Sequence, residues 1–222
     1  MQRVSEFRIR KCNEASPNAH ADFVLYWMIA NRRTRWNFGL QRAVEWTLDL
    51  KKPLVVFEPL RCGYQWASDR FHSFIMEGMR DNAADFSESG VLYYPYLEPR
   101  AGEGKGLLKD LAEHACCVVT DDFPCFFLPR MVASAARQVP VLMEAVDSNG
   151  IMPMRWTDKI FLTAYSFRRF LQKNLDPHLH AFPEPRPADR IQTTKLECLP
   201  CRITATARDT HHECVRTGTR KI

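Results

Sequence analysis

The stretch Asp22-Phe23-Val24-Leu25-Tyr26-Trp27-Met28 places six apolar or aromatic residues in a row behind a single aspartate. A strand with one face in water would alternate polar and apolar side chains, so this run reads as a strand buried on both faces, the pattern of a parallel sheet. Similar short runs follow at 54–57 (LVVF), 91–94 (VLYY), 115–120 (ACCVVT) and 141–146 (VLMEAV). Between them the period changes to helical. Phe38, Leu40, Val44 and Leu48 mark a helix over 36–50, stopped by Pro53; Phe71, Phe74, Ile75, Gly78 and Met79 mark one over 67–84. Shorter helical segments cover 107–114 and 126–138. Strands alternating with crossover helices predict a doubly wound, Rossmann-like parallel sheet of five strands with helices on both faces.

The flanks read differently. Residues 1–21 carry Arg3, Arg8, Arg10 and Lys11 without an apolar run and are expected to form a flexible arm. After the α/β region (22–155) comes a linker segment over 156–188, in which 159–175 is an amphipathic helix with Phe161, Leu162, Tyr165, Phe167 and Leu171 on its apolar side. Pro177, Pro183, Pro185 and Pro187 end regular structure, and 189–222 reads as a disordered tail, low in large apolar residues. No run approaches the roughly 18 consecutive apolar residues of a membrane helix. Eight cysteines without a secretory signal point to free thiols and an intracellular protein. Of the net charge of +5, the tail contributes seven Lys/Arg against four Asp/Glu, so the body is only weakly basic and lacks the clustered cations of a DNA binder. Cys198-x-x-Cys201, followed by His211, His212 and Cys214, sets metal-ligand types at suggestive spacing, yet the flanks lack the apolar residues that would pack a zinc module and the histidine pair has no usual spacing, so a bound metal is not expected. A tail of this composition also fits a shifted reading frame.

In an open sheet of this kind the site lies beyond the carboxyl ends of the strands, where the strand order reverses. That crevice is expected to be lined by 28–36, 58–62 and 121–125. Trp27, Trp36, Phe57 and Phe123 supply planar aromatic surface there, or simply fill the core. Asp121 and Asp122 are adjacent on an extended chain and point opposite ways, which disfavours an acid–base pair; capping of the following turn is the expected role. Arg32, Arg33 and Arg35 beside Trp36 suit either phosphate contact or a solvated loop. Gly102, Gly104 and Gly106 give GxGxG rather than the dinucleotide-binding GxGxxG, and no strand leads directly into them.

A succession of motifs in order carries a family resemblance. Tyr26-Trp27-Met28, then Asn37 and Leu40 in WNFGL, Pro53 to Phe57, Phe74 to Met79, and Val118-Val119-Thr120-Asp121 with Asp122-Phe123-Pro124 and Pro129-Arg130 follow one another. Val139-Pro140-Val141, Asp147, Asn149, Pro153, Trp156, Asp158 and Lys159 close the series. Over 22–175 the sequence resembles the N-terminal α/β domain of the DNA photolyase/cryptochrome family, nearest the class II cyclobutane pyrimidine dimer photolyases. It departs at Ile29-Ala30-Asn31-Arg32-Arg33, where that family has Asp-Gln-Arg, and by a one-residue shift at Asp122.

The resemblance implies an antenna domain that can hold a light-harvesting chromophore, a deazaflavin or flavin, with Trp27, Met28, Trp36, Asn37, Phe57, Asp121 and Phe123 as the candidate binding residues. Photolyases continue into a large helical domain that holds FAD and admits the flipped dimer. This sequence contains no such domain, so FAD is not expected to bind this chain alone, contact with DNA is expected to be weak or nil, and the chain alone is expected to be inactive in repair. The partner is either a flavin-domain chain or a second copy through the 159–175 helix. A nucleotide- or protein-binding regulatory module and a truncated gene product are the competing readings.

Overall fold

The computed structural model describes residues 2–199. A six-stranded sheet forms its centre, with β1 (Ile9–Lys11), β2 (Phe23–Trp27), β3 (Leu54–Leu60), β4 (Val91–Leu97), β5 (Ala115–Asp121) and β6 (Met143–Val146) in the order β1-β6-β5-β2-β3-β4. Strands β2 to β6 are mutually parallel, and the order reverses between β2 and β5. Helices α1 (Phe38–Leu50), α2 (Asp69–Ser87), α3 (Leu107–Glu113), α4 (Leu128–Ala136) and α5 (Ala164–Asn174) complete the described part.

The alternation along β2 divides the core in two. Phe23, Leu25 and Trp27 face α3 and α4, packing with Leu107, Leu111, Val132 and Ala135, while Val24, Tyr26 and Met28 join Leu40, Ala43 and Val44 of α1 on the other face. Every residue of β2 and β5 is buried. Transfer of each such side chain out of water is worth about 1.5–3 kcal/mol, which is why the unbroken apolar runs fix the centre of the sheet.

Two expectations need correction. The sheet has a sixth strand, and it comes from the segment read as a flexible arm: β1 pairs antiparallel with β6, Ile9 opposite Val146 and Lys11 opposite Glu144. Val4 and Arg8 are buried, and Val4 N–H donates to Glu45 Oε1 at 2.6 Å. A three-residue strand with two basic side chains shows no periodicity, so its pairing is invisible in sequence. The second concerns the tail. Within 189–199, Ile191 and Leu196 pack against the two core clusters and Leu199 is buried, so this part is ordered against the domain; the remainder, from residue 200, lies outside the described residues. Of the metal-type cluster only Cys198 is described, as an exposed free thiol.

The amphipathic helix is shorter than its periodicity suggested. It starts at Ala164, where the Thr163 hydroxyl accepts from Ser166 N–H at 3.2 Å, and none of its residues is buried. Leu162 is 93% exposed and Ile160 84%. No helix among the described residues is long and apolar enough to cross a membrane.

Candidate functional site

The carboxyl ends of the parallel strands carry acidic residues, and each is held by donors of the protein itself. Asp121 closes β5, fully buried beside the reversal point. Its Oδ2 accepts from three successive backbone N–H groups, Ile29 (2.9 Å), Ala30 (2.8 Å) and Asn31 (3.0 Å), and its Oδ1 accepts the Tyr26 hydroxyl at 2.7 Å. The loop after β2 is thus a nest of N–H groups of the sort that binds anions, filled by a carboxylate from the neighbouring strand. Burial and the Asp121 charge push the Tyr26 phenol well above its ordinary value. Asn37, also buried, donates to Tyr26 Oη (3.0 Å) and to the carbonyls of Asn31 (2.9 Å) and Arg33 (3.0 Å), while its Oδ1 accepts from Gly39 N–H (2.9 Å) and Leu40 N–H (3.2 Å) to cap α1.

Glu58 near the end of β3 accepts from Arg32 (3.0 Å), Asn82 (2.9 Å) and Tyr93 (2.6 Å). Beyond β4, Glu98 accepts from Gly102 N–H (2.9 Å) and Cys62 N–H (3.1 Å); Gly102 and Gly106 both have φ near +90°, so the glycines shape a loop around a carboxylate rather than a phosphate cradle. Burial and the neighbouring Glu98 raise the Cys62 thiol, which disfavours a reactive thiolate. Asp147, after β6, lies 3.9 Å from the buried Arg8, whose guanidinium also donates to the carbonyls of Asp147, Gly150 and Ile151. Asp122 pairs with Arg10 at 3.2 Å and with Arg155. Asp121 and Asp122 therefore do point apart, but Asp121 anchors the loop after β2 instead of the turn that follows it.

The candidate residues distribute over two faces. Trp27, Phe57 and Tyr94 lie side by side across β2, β3 and β4 in register, on the α3/α4 face, and Phe57 stacks on Tyr94 with ring centroids 5.6 Å apart. The Trp27 indole N–H is buried with no hydrogen-bond partner among the described residues. Phe123, in the loop after β5, stacks on Phe126 at 6.4 Å with planes 3° apart; Phe126 meets Trp66 edge-on at 5.4 Å, and Phe127 lies 6.2 Å from Tyr64. Met28, Asn37 and Asp121 belong to the loop-holding region on or beside the α1 face. Trp36, at φ 51° and 48% exposed, lines a cavity with Phe38 and His178. Of the arginines near it, Arg32 pairs with Glu58 and Arg35 with Asp85 (3.5 Å).

Sequence reasoning missed Tyr64, Trp66, Phe126 and Phe127. Their signal was an aromatic content unusual for loops, on either side of the expected crevice, with Trp66 and Phe126 half or more exposed. It also missed the acidic strand ends as a set, because the partners of Glu58, and Cys62 among those of Glu98, come from distant segments.

No protein-family model matches the sequence. The chain is 31% identical over 193 residues, 86% of its length, to a deoxyribodipyrimidine photo-lyase of Methanothermobacter thermautotrophicus, of which it covers 41%. It is 29% identical over 170 residues, 72% of its length, to a deoxyribodipyrimidine photo-lyase of Oryza sativa subsp. japonica, covering 33% of that protein. The chain thus spans less than half the length of the curated relatives it matches. An ordered α/β sheet, the motif succession along it and this identity over most of the chain lead to one conclusion: the chain is a distant homologue of deoxyribodipyrimidine photo-lyases, matching part of their length.

Proposed function

We propose that this domain is the light-harvesting α/β part of a class II-type photolyase, holding a planar deazaflavin or flavin and passing its excitation to FAD bound elsewhere. The observation that carries the reading is the aromatic surface built by the loops after β3 and β5. Trp66 and Phe126 are exposed and Phe123 partly so, in contact with one another in the segments that follow β3 and β5, while Trp27, Phe57 and Tyr94 form a row across β2, β3 and β4 in the sheet. Flat rings with few polar groups suit a chromophore whose task is absorption and energy transfer. The buried carboxylates nearby are committed to structural donors, which fits a site that performs no proton chemistry.

In this reading the chain alone removes no pyrimidine dimers under blue light and binds DNA weakly or not at all. The exposed side of α5 and the residues before it, Ile160, Leu162 and Tyr165, is the surface that meets a flavin-bearing partner or, failing that, a second copy. The test is equilibrium dialysis with flavin mononucleotide and a deazaflavin, followed by fluorescence. Saturable binding of either at one per chain, weakened at least tenfold by Trp66→Ala or Phe123→Ala, supports the site. No retention of either, or retention unaffected by both substitutions, removes it.

A further inference from the structure

Beyond the aromatic surface of the proposed chromophore site, the molecule has an open cavity of about 390 Å³ between the loop after β2, the start of α1, the turn 148–151 and the strap 178–183. We propose that this cavity is a second ligand site, selective for a mononucleotide: an aromatic base stacked on Trp36, with its phosphate on Arg33.

Four observations carry this. The volume falls in the range of small-molecule sites, roughly 300–1,000 Å³. The walls pair the aromatic faces of Trp36 and Phe182 with a cation, and Arg33 makes no ion pair among the described residues, whereas Arg8, which also lies 4.2 Å over the Phe38 ring, Arg32 and Arg35 are each committed to a carboxylate. Trp36 is held at a positive φ, 51°, an uncommon conformation for a bulky residue and one that tends to mark functional positions. Its backbone N–H donates to Pro185 O (3.3 Å), which ties it to the strap.

The polar atoms point the same way. His178, only 8% exposed, and Ser148 also line the cavity, and His178 Nε2 and Ser148 Oγ are buried with no hydrogen-bond partner among the described residues. Leaving such groups unsatisfied is unfavourable, so their pairing with a ligand's base edge or ribose hydroxyls would recover what the empty cavity forgoes. Desolvation and the charge of Arg8 hold His178 below the ordinary imidazole value, so it faces the cavity neutral, with one ring nitrogen donating and the other accepting. The strap itself is fixed to α1 through Glu184 N–H on Gln41 Oε1 at 2.8 Å, so this wall stands without a ligand.

The experiment is calorimetric titration of the chain with 5′-AMP, adenosine, inorganic phosphate and a short oligothymidylate, with and without saturating flavin mononucleotide. The expected result is one AMP per chain, with adenosine and phosphate each at least tenfold weaker. Arg33→Ala should reduce AMP affinity at least tenfold without changing the adenosine constant, and Trp36→Ala should reduce both. Far-ultraviolet circular dichroism checks that the variants fold. Undetectable AMP binding at millimolar concentration, AMP binding unmoved by either substitution, binding of the oligonucleotide but not AMP, or displacement of AMP by flavin mononucleotide would each overturn the proposal. The last outcome would leave the chromophore reading standing and merge the sites; failure of flavin binding alone would leave the mononucleotide site intact.

Discussion

Asp121 accepts the hydroxyl of Tyr26 at 2.7 Å across the point where the strand order reverses, and with its other oxygen holds the loop that follows β2. The pair joins the ends of two neighbouring strands and shapes the entrance to the crevice, so its loss should be felt in stability before function.

Asp121→Ala removes the shared acceptor of three backbone N–H groups. Each buried donor left unsatisfied costs about 1–3 kcal/mol, so the substitution should destabilise by at least about 3 kcal/mol, read from the urea midpoint. Gly39→Ala should cost about 1–3 kcal/mol by overpacking, since its Cβ would lie 2.9 Å from Tyr26 Oη and 3.0 Å from Asp121 Oδ1. An unchanged midpoint for Asp121→Ala would mean that the loop is held by other contacts.

Arg32 and Glu58 should be energetically coupled. The carboxylate is buried and the guanidinium partly so, and Arg32 also donates to Pro59 O. Arg32→Ala, Glu58→Gln and the double variant form a cycle; the coupling expected for a pair within one hydrogen-bonded network is about 0.5–3 kcal/mol. A coupling near zero would show that Asn82 and Tyr93 satisfy Glu58 by themselves.

Stability should fall on the alkaline side. Burial raises Tyr26, Tyr93 and Tyr94 above the ordinary phenol value of 10.0, Tyr94 to about 12, and raises the Cys117 thiol above 9.0. The unfolded chain releases these protons near their ordinary values while the folded chain keeps them. The unfolded state then binds fewer protons, and stability decreases with rising pH. The urea midpoint should be insensitive to these groups below about pH 9 and decline above it, less steeply in Tyr94→Phe. A midpoint that rises between pH 9 and 11 would contradict the burial of these groups.

The region before and within α5 should drive self-association of the chain by itself. Ile160, Leu162 and Tyr165 are all more than half exposed, and burying such side chains against a partner is worth about 1.5–3 kcal/mol each. Sedimentation should show concentration-dependent association that Ile160→Ser with Leu162→Ser relieves without lowering the melting temperature. A monodisperse wild-type chain, or a sharp fall in melting temperature for the double variant, would place these residues in the fold instead.

The sequence by itself determined the parallel sheet and its five parallel strands, because burial on both faces demands uninterrupted apolar runs and crossover helices demand a 3.6-residue period. It also marked Asn37 and Asp121 through the motifs around them. It could not reveal β1, whose three residues carry no pattern; its pairing follows from the backbone groups that β6 leaves open at the sheet edge. Nor could it say what Asp121, Glu58 and Glu98 do, since their partners lie 90–95, 24–35 and 4–36 residues away. Trp27 and Trp36, nine positions apart in one motif-bearing stretch, end on different surfaces: one in a row across the sheet, the other at a cavity wall. Local propensity and periodicity are written along the chain. Which donor meets which carboxylate, and which ring meets which face, is set only when the crossovers bring distant segments to the same strand ends.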